Sequence, residues 1–175
     1  MQPETLSPAI TPAAQALLTE LDHELLLTRR VLERAPEDYF NWQPHPKSMT
    51  LGKLAWHTAE MLGAIESALQ TTEVDLATLD FTTPKPANTE ALLRQFDAEA
   101  AAARATLAAA SPADFAVTWT LRHGSHVIMQ QSRAATVRHL ISHAIHHRGQ
   151  LSVYLRLLEV PVPYIYGPNA DEQAM

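Results

Sequence analysis

The chain has 175 residues, 46% of them apolar, with a formal net charge of −6 and no cysteine. That length suits one domain with a sizeable core, and the missing cysteines exclude disulfides, thiolate ligands and a cysteine nucleophile. An acidic chain without a basic stripe is a poor nucleic-acid binder, no apolar run reaches the roughly 18 residues of a membrane span, and no basic-then-apolar leader opens the sequence.

The expectation is a cytoplasmic protein with no nucleic-acid or membrane partner. Residues 1–10, rich in proline, serine and threonine, read as a loose arm preceding the domain. Thr11-Pro12 then places a capping oxygen before a proline at the first helical position. A helix near 11–35 follows, with Leu18, Leu21, Leu25 and Leu32 on one face and Pro36 as its stop. The loop Tyr39–Pro46 is aromatic and proline-rich and is expected to close one end of the core.

Thr50 caps a second helix over 51–70, whose inward face is Leu54, His57, Met61, Ala64, Ile65 and Ala68. Residues 71–87, with Pro84 and Pro86, read as a crossover loop. Asn88 or Thr89 starts an alanine-rich third helix over 88–110. Residues 115–121 alternate at period two, Arg122–Ser125 has turn chemistry, and Val127–Met129 returns; a short hairpin fits, packed on the helices because two strands alone are marginal. The fourth helix, 132–159, is stopped by Val160-Pro161-Val162-Pro163. The expected fold is all-α, a four-helix bundle in a single domain over 1–175, with a short hairpin or irregular insert between helices three and four.

Four of nine histidines fall between His139 and His147. His143 and His147 are about 40° apart around a helix and share the side of Thr136, Leu140, Leu151 and Tyr154. Imidazoles at i and i+4 on an inward face can present two nitrogens to one ion, and in bundles metal sites are built across facing helices. His57, in the middle of the apolar stripe of helix two, is the candidate third ligand. His139 and His146 lie at the stripe's edge. His123 and His126 read as turn residues. Glu20-Leu21-Asp22-His23 lacks the second Glu-x-x-His copy of a di-iron bundle, and a His-Glu-x-x-His pattern is absent.

The string His143-Ala144-Ile145-His146-His147-Arg148-Gly149-Gln150 resembles the signature of the DinB/YfiT-like family, as do Leu54-Ala55-Trp56-His57 and Trp42-x-Pro44. The resemblance covers roughly Leu17 to Glu172. It implies an up-down-down-up bundle with a three-histidine metal site, whose ligands carry over to His57, His143 and His147. It also implies a homodimer and, from characterised relatives, metal-dependent reactions with low-molecular-weight thiols such as mycothiol or bacillithiol.

Imidazole donors suit Zn²⁺, and equally Ni²⁺ or Fe²⁺. The leading expectation is a metal-dependent thiol S-transferase or hydrolase acting on a small molecule in stress or detoxification. Any thiol must arrive with a co-substrate. The alternative is a non-catalytic metal-binding or interaction protein. Glu60 and His146 flank the ligands, but neither is assigned as a general base.

Overall fold

Side-chain caps set where the helices begin. In the computed structural model, which describes residues 10–80 and 86–173, Thr11 accepts a hydrogen bond from the Ala14 amide and Pro12 opens helix α1 (Pro12–Leu32). Most of the expected loose arm, and Pro84 of the crossover, lie outside the described residues. Leu18, Leu21, Leu25 and Leu32 are buried along α1. The helix tightens at its end, where the Arg34 and Ala35 amides bond to Val31 and Leu32 carbonyls, and it stops short of the expected Ala35.

The second helix expected over 51–70 is two helices. Thr50 accepts from the Lys53 amide and starts α2 (Leu51–Glu60), and α3 (Gly63–Gln70) follows after a break. At the break the Leu62 amide reaches only the Ala59 carbonyl, at 3.5 Å, and the Ile65 amide bonds to Leu62, at 3.0 Å. These are three-residue spacings, tighter than an α-turn. A side chain on Gly63 would collide with the Glu99 carboxylate of helix α4 (Thr89–Ala109), so the break coincides with a close approach between two helices.

Strand pairing overturns the all-α four-helix bundle. Residues Thr118–His123 (β2) and His126–Ser132 (β3) form the hairpin, and Glu73–Asp75 (β1) adds to β2 in parallel, giving a mixed sheet of order β1-β2-β3. The physical reason is the charge and hydrogen-bond match at its edge. Arg122 pairs with Glu73 and Asp75, and Asp75 also accepts from the Gly124 amide at 2.9 Å. Gly124 turns the hairpin at φ +57°, a region favourable to glycine. Ile128 is the extra residue where the register shifts between Leu121 and Arg122. Buried Trp119 anchors the sheet by donating from Nε1 to Thr71 Oγ1 at 3.2 Å. A short helix α5 (Pro112–Ala116), closed by a Ser111–Asp114 capping box, leads into β2.

Helix α6 (Arg133–Leu157) starts on the Ser132 cap and packs against α1, α2 and α3. Buried Arg133 donates twice to the Thr71 carbonyl, at 2.7 and 3.1 Å, which ties the start of α6 to the end of α3. Beyond α6, Glu159 turns the chain at φ +57° and the Val160 amide caps the Leu155 carbonyl at 2.9 Å. The following segment is bound back onto α1: Glu172 accepts from Arg30 at 2.5 Å and Arg34 at 3.0 Å. Among the described residues, no helix is long and apolar enough to cross a membrane.

One glycine holds the aromatic loop against α2. A Cβ on Gly52 would lie 2.8 Å from Phe40 Cβ and 3.0 Å from the Phe40 carbonyl oxygen. Gly52→Ala is expected to destabilise the protein by about 1–3 kcal/mol, as overpacking does. A chemical denaturation midpoint equal to that of the unaltered protein would contradict this.

Candidate metal centre

Helices α2 and α6 lie face to face, and each turns histidine toward the other. On α2, buried Leu54 and Thr58 fix the inward face, leaving His57 at its edge with its side chain 25% exposed. On α6, His143 is half-buried and His147 is buried, flanked by buried Leu140, Ala144 and Leu151. One ligating atom from each of His57, His143 and His147 lies within 4.8 Å of those of the other two. The sequence-predicted trio is therefore brought together in space.

Ring separations test whether one ion suits them. Two imidazoles sharing an ion at 2.0–2.1 Å have ring centres roughly 4.5 to 6.4 Å apart, for angles at the ion from about 90° to 180°. The three pairs measure 4.5 Å (His143–His147), 4.7 Å (His57–His147) and 5.8 Å (His57–His143). All three fall inside that window.

The outer nitrogens are held. His57 Nδ1 lies 3.0 Å from Glu60 Oε1, and His147 Nδ1 lies 2.8 Å from Gln150 Oε1. Both oxygens accept, so each Nδ1 donates and each Nε2 keeps its lone pair for the shared space. The Nε2 atoms of His143 and His147 are 2.8 Å apart. Two nitrogens so close are reconciled by one proton between them or one cation in front of them.

Burial, then the neighbouring His147 and His57, pushes the His143 pKa down to about 4. Burial chiefly lowers His147 as well, against the opposing Gln150 hydrogen bond. Both rings are neutral donors near pH 7. The sign of the resulting pH dependence follows from proton counts. An unfolded histidine titrates near 6.5, so below that value the unfolded chain holds a proton that folded His143 refuses until about pH 4. Metal-free stability should therefore rise with pH across this window. The contribution is at most about 3 kcal/mol and is reduced by solvent, since the ring is not fully buried. Thermal denaturation should show a steeper climb in Tm between about pH 4.5 and 6.5 for the unaltered protein than for His143→Gln; parallel curves would count against the assignment.

The other histidines stand apart from this trio. His139 and His146 are exposed, with ring centres 6.0 Å from His143 and 5.2 Å from His147 respectively. His123 and His126 face each other across the hairpin turn. Glu20 pairs with Arg138 and exposed His23 stacks on Tyr166 at 6.3 Å, which leaves the Glu-x-x-His element of α1 outside the site.

Sequence reasoning missed two supports. The first is Gln150, which sits three residues after a ligand candidate as does Glu60, named from the sequence only as a flanking residue; that common spacing was the available signal. The second is Arg148, only 1% exposed, whose guanidinium meets Glu24 Oε2 at 2.6 Å and the Tyr166 hydroxyl at 2.6 Å. The Tyr166 hydroxyl in turn donates to Glu24 Oε2 at 2.7 Å.

Known proteins place the chain in context. The chain is 29% identical over 163 residues to the uncharacterised protein YrdA of Bacillus subtilis (strain 168), covering 90% of both. Its fold is similar to that of a DinB-like protein from Bacillus cereus ATCC 10987, with a TM-score of 0.68 at 20% identity, over 87% of this chain and 97% of that one. A DinB-like protein of Bacillus subtilis, YjoA, superposes with a TM-score of 0.66 at 16% identity, over 91% and 99%. At such identities these two structures speak for the fold alone. Residues 10–174 match the DinB family as a whole, a span that includes both helices of the histidine trio, and the chain belongs to that family.

Proposed function

We propose that the protein is a metal-dependent enzyme for small molecules, holding one divalent cation on His57, His143 and His147. The observation that carries this reading is the convergence of three imidazoles, two of them oriented by Glu60 and Gln150. Zn²⁺, Ni²⁺ and Fe²⁺ all accept such a donor set. Among the described residues no fourth histidine or carboxylate joins the trio. Structural zinc sites are closed by four protein ligands, whereas catalytic sites keep a position open. A trio of protein ligands with no fourth, one of them partly exposed, favours catalysis over a purely structural ion.

A divalent cation bound there supplies Lewis acidity that ionises a water or a thiol at neutral pH. The chain's residues supply the rest. Glu60 holds the His57 ring and keeps its proton on Nδ1, and Gln150 does the same for His147. Because the chain has no cysteine, a thiol reaction needs an external low-molecular-weight thiol. Transfer of such a thiol to an electrophile is the leading activity, and hydrolysis is the second.

Cobalt-substituted protein separates the two. A small thiol is expected to add a sulfur-to-metal charge-transfer band to its visible spectrum, and His143→Ala should abolish the band with the metal. A spectrum unmoved by a panel of thiols would remove the transferase reading and leave hydrolysis.

A further inference from the structure

We infer that His139 and His146 form an entry relay that hands a cation to the buried trio. This rests on the ligand assignment proposed above and adds a route to it. The histidines of α6 are spaced as a ladder: His139, His143 and His147 follow one another at four-residue intervals, each a neighbour of the next and each step winding about 40° round the helix. The exposure changes along that ladder from exposed His139, through half-buried His143, to buried His147. His146 offers a second exposed ring beside the innermost one.

The geometry separates relay residues from ligands. Rings sharing one ion through ring nitrogens at 2.0–2.1 Å have centres roughly 4.5–6.4 Å apart. His139 and His143 are 6.0 Å apart, and His146 and His147 are 5.2 Å apart, so each outer ring lies beside one member of the trio. Neither outer ring joins the group whose ligating atoms all lie within 4.8 Å of one another. An exposed imidazole that reaches one ligand but not the shared point can capture an ion and pass it on, without being needed to retain it. In the hand-over, one nitrogen–metal bond to the outer ring breaks as one to an inner ring forms, and no proton or electron need move between rings. Exposed side chains with no packing role can also be changed without disturbing the core.

A relay leaves a kinetic signature. Since the same path serves entry and exit, removing it slows both and leaves the equilibrium unchanged. Stopped-flow uptake of Co²⁺ by metal-free protein, followed by its visible absorption, measures the association rate. Release to an excess of chelator measures the dissociation rate. The double variant His139→Asn with His146→Asn is expected to lose about tenfold in both rates while the Kd stays within about twofold. Rates equal to those of the unaltered protein would overturn the relay. A Kd weakened in step with a faster release would also overturn it, by making these residues ligands. If the unaltered protein itself takes up no Co²⁺, the ligand assignment fails first, and that result is read before any variant is compared.

Discussion

Replacing His147 with alanine is expected to weaken divalent-cation binding by more than about a hundredfold, because even changes to residues behind a ligand cost about 10–100-fold. His147 is the hinge of the trio. It is buried, its ring is the closest of the three to both others, and Gln150 holds its outer nitrogen. Losing it leaves two imidazoles on different helices. By contrast, His139→Ala should leave the affinity within about threefold, since His139 lies about 80° round the helix from His147. Titration with Zn²⁺ or Co²⁺, followed by elemental analysis of the gel-filtered protein, measures both. Equal losses in the two variants would mean that the ligand set is wrong.

The largest stability effect is expected at Arg148. Its guanidinium is buried against Glu24, and Thr28 and the Glu24 carbonyl accept from it at 3.3 and 3.2 Å. Arg148→Ala would leave the Glu24 carboxylate buried without its counter-charge, a loss of about 3–5 kcal/mol. For a domain of this size each kcal/mol moves Tm by about 2–4 °C, so a fall of roughly 10 °C is expected. The double change Arg148→Met with Glu24→Gln should fall less than the single change, because no unpaired charge remains. A single variant that melts within about 2 °C of the parent would refute this account. So would a double variant less stable than the single one.

The histidine trio was legible because its signal is local. Two ligands lie one helical turn apart, and the third interrupts an apolar stripe, so periodicity brings all three toward the interface of α2 and α6, although His57 lies at the edge of its inward face rather than in the middle of the stripe. Caps were readable at Thr11 and Thr50, and Asn88, left open against Thr89, and Ser132, read only as a helix start, likewise accept from an amide three residues on. What periodicity could not reveal depends on distant partners. The break at Met61–Leu62 carries no proline, and the apolar stripe runs through it to Ile65; the close approach it coincides with lies on α4, at Glu99. Strand β1 is three residues long and two of them are acidic, so it reads as loop until Arg122, 47 positions on, supplies the complementary charge. Arg148 stands in the signature string with no role assigned to it, for the same reason. Only Glu24 and Tyr166, both far away in sequence, explain its burial.

The Glu24–Arg148 pair also bears on how the chain is made. Glu24 is synthesised 124 residues before the arginine that neutralises it, an interval of about 6–25 s at 5–20 residues per second. Throughout that time α1 carries a carboxylate and a row of leucines that have no lasting partner on α6. A nascent chain in this state can already pack α1 on α4, through Arg29–Asp97 and Asp22–Arg104, while Arg30 and Arg34 wait longer still for Glu172. Ribosome-bound intermediates should therefore expose the side of α1 that later packs on α6, the kind of apolar surface that chaperones recognise.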